Sequence, residues 1–475
     1  MNLDSSQSLF LEKFKEELKI FKNDFFILTG AAGTGKTELI KESVEYCEEH
    51  DIGYQCLAFT GRAASVLRSR GLENTKTIDS WLHHLKKANI IEELEKYKKF
   101  VFFIDESSMI SNSAILFEDE EPELDFKLDE IMWSTYGFMP CKDIIFVFAG
   151  DNNQLPPLKH DYCPALDADY LNKRYGIEGS VFTLEKVYRQ SKESEISKIA
   201  KYFTSKTDNS SLKIPSLKEI EDSVQIVQES DIVRLFFELY FKNKHDVKII
   251  TATNKKADYY NFKIKEKIST GTTGKYQPYL IPNSYLEPQV GDILQIFNNT
   301  GNIWGEPLYN GDFLEILKIG KVNESVLQKE HDDFFPFVNQ ELLVGTITDD
   351  GEKTGLTQQV TISVDHLINS FQLTSKQFEY FDKKESGMLK KIKDYKSLKS
   401  KSIYFDKEYN PVLAKYGYAI TGHKAQGGGW GNIIIDFSGF NDEEGHLPPS
   451  WIYTAITRAK SNLYIANYPD GKVNG

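Results

Sequence analysis

The sequence predicts an α/β protein built on doubly wound parallel sheets, with a small antiparallel β-barrel inserted in its second half. In the first part of the chain, and again near its end, short apolar runs alternate with helix-like segments, as in parallel strands joined by helices. From Val290 the apolar residues instead alternate with polar ones, and Asn310-Gly311 and Asp350-Gly351 supply turns suited to antiparallel strands. With 475 residues the chain is long enough for two or three domains, each with its own core.

The composition is that of a folded globular protein, with 40% hydrophobic and 13% aromatic residues. No apolar run approaches the length of a membrane span, and the first residues lack the basic, apolar pattern of a signal peptide, so we expect no membrane contact. The cysteines show neither CxxC nor metal-type spacing, which predicts reduced, buried thiols in a cytoplasmic protein. They are Cys47, Cys56, Cys141 and Cys163.

The formal net charge of −13 argues, taken alone, against a nucleic-acid binder. The charge is unevenly distributed, however. Acids concentrate at Glu118–Glu123, whereas Lys383–Lys401 holds eight lysines against two acids. That basic stretch is read either as a solvated helix face or as an arm that grips a nucleic-acid strand.

The chain is organised around a glycine-rich loop that fits the pattern G-x-x-x-x-G-K-[ST] and follows the apolar run Phe25–Leu28. Gly33 and Gly35 let successive backbone N–H groups curl around phosphate oxygens. The helix that follows adds its dipole, Lys36 is expected to reach the β- and γ-phosphates, and the Thr37 hydroxyl can ligate Mg²⁺. The predicted nucleoside triphosphate site comprises Gly30, Ala31, Ala32, Gly33, Thr34, Gly35, Lys36 and Thr37.

Residues 1–24, which precede this loop, have the periodicity of an amphipathic helix leading into the first strand. Gln7, near the start of this helix, presents an amide that can pair bidentately with a purine edge. The alternative interpretation of Gln7 is a polar residue in a helix cap.

A pair of carboxylates follows the buried strand Phe100–Ile104, downstream of the phosphate loop. Asp105 is expected to hold Mg²⁺, directly or through water. Glu106 is expected to orient and deprotonate the attacking water. Two acids at the end of a strand are uninformative by themselves. Because this strand lies downstream of a phosphate loop, the combination of loop and acids is a specific signal.

Residues 111–141 are acidic and poorly periodic, and we expect a surface excursion with one short helix. The next strand, Asp143–Ala149, leads to Gln154, whose amide lies where it can sense the γ-phosphate. Because strands and helices alternate here, the site is expected at the carboxyl edge of a parallel sheet.

The second half of the chain returns to parallel-sheet patterns on both sides of the predicted barrel. Val247–Asn254 is a buried strand followed by a helix, and Asn432–Asp436 and Asn462–Ala466 are two further core strands. We predict a first domain at residues 1–180, a second at 181–289 and 411–475, and an insert at 290–410 that includes the basic arm.

Seven segments occur in the order found in helicases. They are Gly30–Thr37, Phe59–Ala64, Ile104–Ser108, Gly150–Pro156, Leu184–Gln190, Ala419–Gly427 and Tyr453–Ala459. Each segment alone is modestly specific, but the ordered set is highly specific. Together they resemble a superfamily 1 DNA helicase of the RecD-like, Dda-type branch.

The resemblance implies two RecA-like domains with ATP and Mg²⁺ in the cleft between them, and an SH3-like barrel inserted in the second. Arg189 and Arg458 match the two arginines that reach the γ-phosphate, and Gln7 matches the glutamine that reads adenine. Gln426 and Gly427 match the segment that couples the strand track to the nucleotide. Positions matching contacts to single-stranded DNA are Thr60, Arg62, Thr421 and His423. The branch moves 5′→3′, a direction that no physical feature of the sequence sets.

The sequence departs from the family pattern at three positions. Phe59 stands where proline is usual, Asp79 where histidine usually follows Thr-Ile, and Gly428 where serine or threonine is common. No DNA contact is assigned to Asp79, because an acid repels phosphate. The interval Trp81–Phe100 is short and helix-like, whereas relatives carry a strand-separating β-hairpin pin there, so we do not expect a full pin.

The main prediction is an ATP-dependent translocase and helicase on single-stranded DNA. One alternative is a nucleotide-switched motor subunit of a larger DNA-processing or defence complex, with protein partners and little unwinding of its own. A second is an RNA helicase with the same motor. A small-molecule kinase is disfavoured, because it needs neither two distant arginine segments nor a barrel insert, and no nuclease-type constellation is present.

Overall fold

The fold is taken from a computed structural model. It describes residues 3–85, 88–115, 123–141, 143–157, 160, 162–187, 195–204, 223–271, 287–297, 300, 308–328, 334–347, 353–369, 411–438 and 447–467. The predicted basic arm at 383–401 and Arg189 lie outside these residues, as does the side chain of Arg62.

The first half of the chain alternates strands and helices. In chain order the elements are α1 Ser5–Ile20, β1 Phe25–Gly30, α2 Lys36–Glu49, β2 Gly53–Ala58, α3 Gly61–Ser69, β3 Thr75–Thr77, α4 Ile78–Leu85, α5 Ala88–Leu94, β4 Lys99–Asp105, β5 Ser113–Ile115, β6 Glu123–Asp125, α6 Lys127–Phe138, β7 Asp143–Gly150, α7 Ala168–Tyr175 and β8 Gly179–Leu184. Six of these strands form one parallel sheet in the order β3-β2-β4-β7-β1-β8. The predicted doubly wound parallel sheet is confirmed.

Strands β1, β4 and β7 form the centre of this sheet because they are apolar on both faces, as strands covered by helices on two sides must be. Phe102, Phe146 and Phe148 are fully buried, and neighbouring rings in this series stack with centroids 5.4 and 5.8 Å apart. Strand β8 pairs with β1 through Leu184. The first unit therefore extends past the boundary predicted at residue 180.

The second half continues with α8 Glu195–Tyr202, β9 Val224–Ile226, α9 Ile232–Tyr240, β10 Val247–Thr251, α10 Asn254–Gly271, β11 Ile293–Ile296, β12 Phe313–Gln328, β13 Phe334–Ile347, β14 Lys353–Ser363, α11 Val364–Asn369, β15 Ala414–Tyr416, β16 Ala419–Thr421, β17 Trp430–Asp436, α12 Pro449–Ile456 and β18 Ala459–Ala466. Five strands form a second parallel sheet in the order β16-β10-β17-β18-β9. Its centre is the fully buried run Ile433–Ile435. Two parallel sheets are the arrangement expected of the two RecA-like domains that the motifs imply.

Between β10 and β16 the chain forms a separate antiparallel sheet in the order β14-β13-β12-β11-β15. The predicted change to alternating antiparallel strands after Val290 is confirmed. Strand β15 pairs with β11 although it lies beyond residue 410, so the insert is longer than predicted. Its SH3-like character stays a prediction.

The region 111–141 is more closely integrated into the fold than expected. Helix α6 buries Leu128, Ile131 and Met132 in the same core as Phe102 of the first sheet. The expectation of a surface excursion was therefore wrong for this helix, because one apolar face of α6 packs against the domain. The exposed Asp79 forms an ion pair with Lys127, whose Nζ donates to Asp79 Oδ1 at 2.7 Å, so this unusual acid has a partner within the protein.

The cysteines are free and buried, as predicted. Burial raises the pKa of Cys56 to about 12, which keeps it a thiol at neutral pH. Among the described residues, no helix combines the length and the apolar character that a membrane span requires.

Candidate nucleotide-binding site

The phosphate loop connects the end of β1 to the first residue of α2, as the sequence predicts. Gly33 and Gly35 have φ values of 84° and 89°, a left-handed conformation that a residue with a side chain rarely adopts. Gly30 is needed for a different reason, since a Cβ there would lie 2.9 Å from the Leu184 carbonyl oxygen of the neighbouring strand. These glycines let the loop pass close to β8 and present its backbone N–H groups at the start of α2.

Lys36 lies along the inside of this loop. Its Nζ donates hydrogen bonds to the carbonyl oxygens of Gly30 at 2.6 Å and Ala31 at 3.1 Å. The ammonium group is thus held over the concave face of the loop. A phosphate group bound there gives the ammonium a charged partner in place of two neutral ones.

Thr37 and Asp105 meet beside the loop, and the Thr37 hydroxyl lies 3.4 Å from Asp105 Oδ2. A hydroxyl and a carboxylate are the hard oxygen ligands that Mg²⁺ takes when it also binds substrate phosphates. The pair therefore fits the predicted Mg²⁺ site.

Glu106 has left-handed backbone angles, with φ 53° and ψ 37°, and its N–H donates to Asp105 Oδ1 at 2.9 Å. Burial, and after it the neighbouring Asp105 carboxylate, raises the pKa of Glu106, while Arg458 and Lys36 act in the opposite direction. A carboxylate with a raised pKa is a stronger proton acceptor than an ordinary glutamate. The two adjacent acids thus differ in surroundings, one facing Thr37 and the other facing Arg458.

Gln154 follows β7 at the boundary between the two parallel sheets. Its side chain is 3% exposed, and its Oε1 has no hydrogen-bond partner among the residues whose placement is given. The next residue joins the two halves: Leu155 N–H donates to Thr454 Oγ1 at 3.0 Å, and Gln426 Nε2 donates to the Leu155 carbonyl at 3.1 Å. An amide oxygen left unsatisfied at such a junction is available to a ligand.

Arg458 reaches this site from the second sheet and is 2% exposed. Its guanidinium donates to the carbonyl oxygens of Thr454 at 2.9 Å and Gly428 at 3.1 Å, and to Thr457 Oγ1 at 3.0 Å. Gly427 also approaches the first half, since a Cβ at this position would lie 3.8 Å from Glu106 Oε1.

These groups line one pocket of about 540 Å³, a volume suited to a nucleotide. The predicted residues that the structure brings together there are Ala32, Gly33, Gly35, Lys36, Thr37, Asp105, Glu106, Gln154, Gly427 and Arg458. Sequence reasoning missed Glu38, Arg70 and Lys460, which line the same pocket. No pattern distinguishes these three from other charged residues.

The predicted strand contacts lie in different environments. Thr60 caps α3, and its Oγ1 accepts the Ala63 N–H at 3.1 Å. Thr421 ends β16 and is 7% exposed, whereas His423 is exposed. Of these three side chains, His423 is the most exposed, Thr60 is half-buried and Thr421 is buried.

Two family models match the chain. The AAA domain matches residues 15–160, and the UvrD-like helicase C-terminal domain matches residues 416–466. The first match includes the phosphate loop, both acids and Gln154, and the second includes His423 and Arg458. The two matches therefore fall on the two halves of the pocket.

Among curated proteins, an uncharacterized protein of Methanocaldococcus jannaschii is 25% identical over 94% of this chain. The chain spans 37% of that relative's length. Among solved structures, the Pif1 helicase from Bacteroides in complex with ADP-AlF3 and ssDNA is 17% identical, with 98% of this chain and 93% of that chain covered and a TM-score of 0.49. The Pif1 helicase from Candida albicans is 16% identical, with 100% and 97% covered and a TM-score of 0.48.

Proposed function

We propose that this chain, a superfamily 1 helicase by its ordered motifs and its two family models, is an ATP-driven motor that moves along single-stranded DNA. One observation supports the proposal above the others. The phosphate loop and both acids of the first half share a pocket with Gly427 and Arg458 of the second half. A nucleotide bound in that pocket contacts both halves, so its hydrolysis changes how they sit against each other.

In the proposed reaction the loop N–H groups and Lys36 hold the β- and γ-phosphates. Thr37 and Asp105 would hold Mg²⁺, which neutralises charge on the transferring phosphoryl group. Glu106 orients the attacking water and accepts its proton, a role that suits its raised pKa. Arg458 stabilises the charge on the γ-phosphate from the opposite side, and Arg189 is proposed to act beside it.

Coupling to the strand is proposed to run through the junction at Leu155. This residue hydrogen-bonds to Thr454 on α12 and to Gln426 in the segment after His423. Movement of Gln154 toward the γ-phosphate therefore pulls on the segment that contains the strand contacts. Alternating grip on the phosphodiester backbone by the two halves then produces stepping.

We further propose a direction of movement, a level of duplex unwinding and a need for protein partners. Movement 5′→3′ follows from the family resemblance. A second candidate, a motor subunit with little unwinding of its own, is favoured by the helices α4 and α5, which occupy the interval where relatives carry the pin. Partner proteins would then supply the wedge.

The test is the rate of ATP hydrolysis with single-stranded DNA, single-stranded RNA, duplex DNA and no nucleic acid. Strong stimulation by single-stranded DNA is expected, with less by RNA if the 2′-OH is disfavoured. Equal rates in all four reactions would overturn the proposal of a nucleic-acid motor. Stronger stimulation by RNA than by DNA would favour the RNA helicase.

A further inference from the structure

Asp151 begins the turn that leads from the end of β7 to Gln154. Its side chain is 1% exposed, and its Oδ1 accepts the Asn153 N–H at 3.0 Å. The Asp151 carbonyl accepts the Gln154 N–H at 3.1 Å. An aspartate oxygen that accepts the N–H two residues ahead fixes the shape of a turn. The direction in which Gln154 leaves the sheet is therefore set by Asp151.

The second oxygen of this carboxylate is bound from the other half of the chain. The Tyr453 hydroxyl, on α12, donates to Asp151 Oδ2 at 2.8 Å, and Tyr453 is buried. Burial, followed by the charge of Asp151, raises the pKa of Tyr453, so the hydroxyl keeps its proton and remains a donor at neutral pH. Hydrogen bonds to a carboxylate are among the stronger ones in proteins. One oxygen of Asp151 thus shapes the turn, while the other ties the turn to the second half.

The next residue of α12 holds the other end of the same segment. Thr454 Oγ1 accepts the Leu155 N–H at 3.0 Å, so α12 is bonded to this segment on both sides of Gln154. Between these two bonds the Gln154 side chain is buried, and its Oε1 has no hydrogen-bond partner in the part of the chain that the structure describes. The position of this unsatisfied amide therefore depends on α12.

Helix α12 also touches the predicted strand contacts and the nucleotide pocket. Trp451 packs closely on Gly422, within the predicted strand-contact segment 421–423, since a Cβ on that glycine would lie 2.5 Å from Trp451 Nε1. Arg458 follows the same helix and lines the pocket. A shift of residues 421–423 when a strand binds would thus be passed through α12 to the segment that carries Gln154.

We infer that Tyr453 is a positioning residue whose hydroxyl, through Asp151, places the Gln154 amide at the γ-phosphate in response to the strand. The inference rests on the proposed motor and adds to it a bond between the two halves. Neither Tyr453 nor Asp151 lines the pocket that the described residues form, so Tyr453 is expected to act on hydrolysis through Gln154.

The test compares Tyr453→Phe with Tyr260→Phe in the full chain. Tyr260 is the matched control, because its buried hydroxyl donates to Asp436 Oδ2 at 2.6 Å within the second half, and the same single oxygen atom is removed. The melting temperature and the calorimetric affinity for Mg·ADP are measured for each variant. The affinity for a fluorescein-labelled oligothymidylate is measured too, as are kcat and KM for ATP with and without that oligonucleotide.

Tyr453→Phe should lower kcat at a saturating concentration of the oligonucleotide by about tenfold, the loss of one hydrogen bond to a charged group. Its affinities for Mg·ADP and for the oligonucleotide should stay close to those of wild type. The rate without the oligonucleotide should fall less, because that rate does not depend on positioning by a strand. Tyr260→Phe should lower the melting temperature and keep the stimulation seen in wild type. In a Gln154→Ala background, Tyr453→Phe should cause no further loss of kcat, since it acts through that amide.

Two results would overturn the inference. If Tyr453→Phe lowered only the melting temperature, as is expected of Tyr260→Phe, the bond would hold the halves together and position nothing. If the effects of Tyr453→Phe and Gln154→Ala on kcat were additive, Tyr453 would act by another route. An absence of stimulation in wild type would instead refute the proposed motor. The inference would then stand or fall on hydrolysis without a strand, where the loss in Tyr453→Phe should again vanish in Gln154→Ala.

Discussion

At the scale of single residues, the proposed chemistry depends on the different surroundings of two adjacent acids. Asp105 faces the Thr37 hydroxyl and accepts the N–H of Glu106. Glu106 is turned toward the second half by its left-handed backbone, and burial and the Asp105 charge raise its pKa. In the proposed reaction, Asp105 would hold the metal ion and Glu106 would accept the proton.

Replacing Glu106 with Gln should lower DNA-stimulated ATP turnover by about 10²–10⁴-fold, because an amide accepts no proton from the attacking water. Binding of Mg·ADP should persist, since the phosphate loop, Thr37 and Asp105 are intact. Because the pKa of Glu106 is raised, wild-type turnover should fall on acidification at a higher pH than it would for an ordinary glutamate. Asp79→Asn is the control and should hydrolyse normally. Near-normal turnover in Glu106→Gln would show that another group is the base.

Replacing Arg458 with Ala should reduce turnover more than it reduces nucleotide affinity. Comparable arginine contacts to a transferring phosphoryl group are worth about 10³–10⁵ in rate. Arg458 is buried and donates to Thr454 and Gly428, so Arg458→Lys, which keeps the charge, is measured beside it. Thermal melts show whether each variant is folded. A folded Arg458→Ala protein with normal turnover would contradict the two-sided site.

Lys424 should make the free energy of unfolding depend on pH, and the direction of this dependence follows from its lowered pKa. Its ammonium lies 3.1 Å from the Phe297 ring centroid, and burial followed by the charge of Lys415 lowers its pKa to about 8 from 10.5. The folded pKa lies below the unfolded one, so between these values the unfolded chain binds the extra proton and stability from this residue rises with pH. The free energy of unfolding of wild type relative to Lys424→Met should rise from pH 8 to pH 10.5. If the free energies of unfolding of wild type and Lys424→Met changed with pH in parallel, this prediction would be wrong. Lys13→Met, on the exposed face of α1, is the control.

At the scale of elements, helix α6 shows how a segment predicted as surface becomes part of the core. Met132 is fully buried, whereas the next residue, Trp133, is 58% exposed. Met132→Ala should lower the free energy of unfolding by about 2–5 kcal/mol through the cavity it leaves. Trp133→Ala should cost about 1 kcal/mol or less, because its ring is largely in water. Chemical denaturation measures both, and equal small losses would restore the surface interpretation.

The elements that could be predicted were those with a strong pattern of their own. Strands β1, β4 and β7 are continuous apolar runs, and the phosphate loop has fixed glycine spacing, so local sequence determines them. Strand β15 has three residues and exists because β11 offers it an edge, which no local pattern reveals. The same holds for Arg70 and Lys460, whose place in the pocket depends on how two distant segments pack.

The role of Gln7 could not be settled from sequence for a different reason. A glutamine three residues into a helix suits both a capping box and a base contact, because the amide group is the same in each. In the structure Gln7 takes part in the capping box with Asp4, and its Nε2 donates to the Thr34 carbonyl at 3.1 Å, while the base contact stays a prediction.

At the scale of the whole molecule, two parallel sheets meet at one pocket and a third, antiparallel sheet joins the second half. The net charge of −13 is compatible with the proposed strand binding, because contacts to phosphate are local. Translocation needs the pocket and a strand track, whereas unwinding also needs a wedge. Opening one base-pair step costs about 1.4 kcal/mol, so geometry rather than energy sets the limit.

Movement along single-stranded DNA is therefore the central claim, and displacement of a protein block from one end of a strand tests it most directly. With ATP, the protein should displace streptavidin rapidly from a biotin at the 3′ end of the strand and slowly from a biotin at the 5′ end. The matched control Lys36→Ala, which lacks the cation of the phosphate loop, should displace streptavidin from neither end. A 5′-tailed duplex on the same preparation should unwind weakly. Vigorous DNA-stimulated hydrolysis with no displacement from either end would contradict the account, and displacement from the 5′ end alone would contradict its direction.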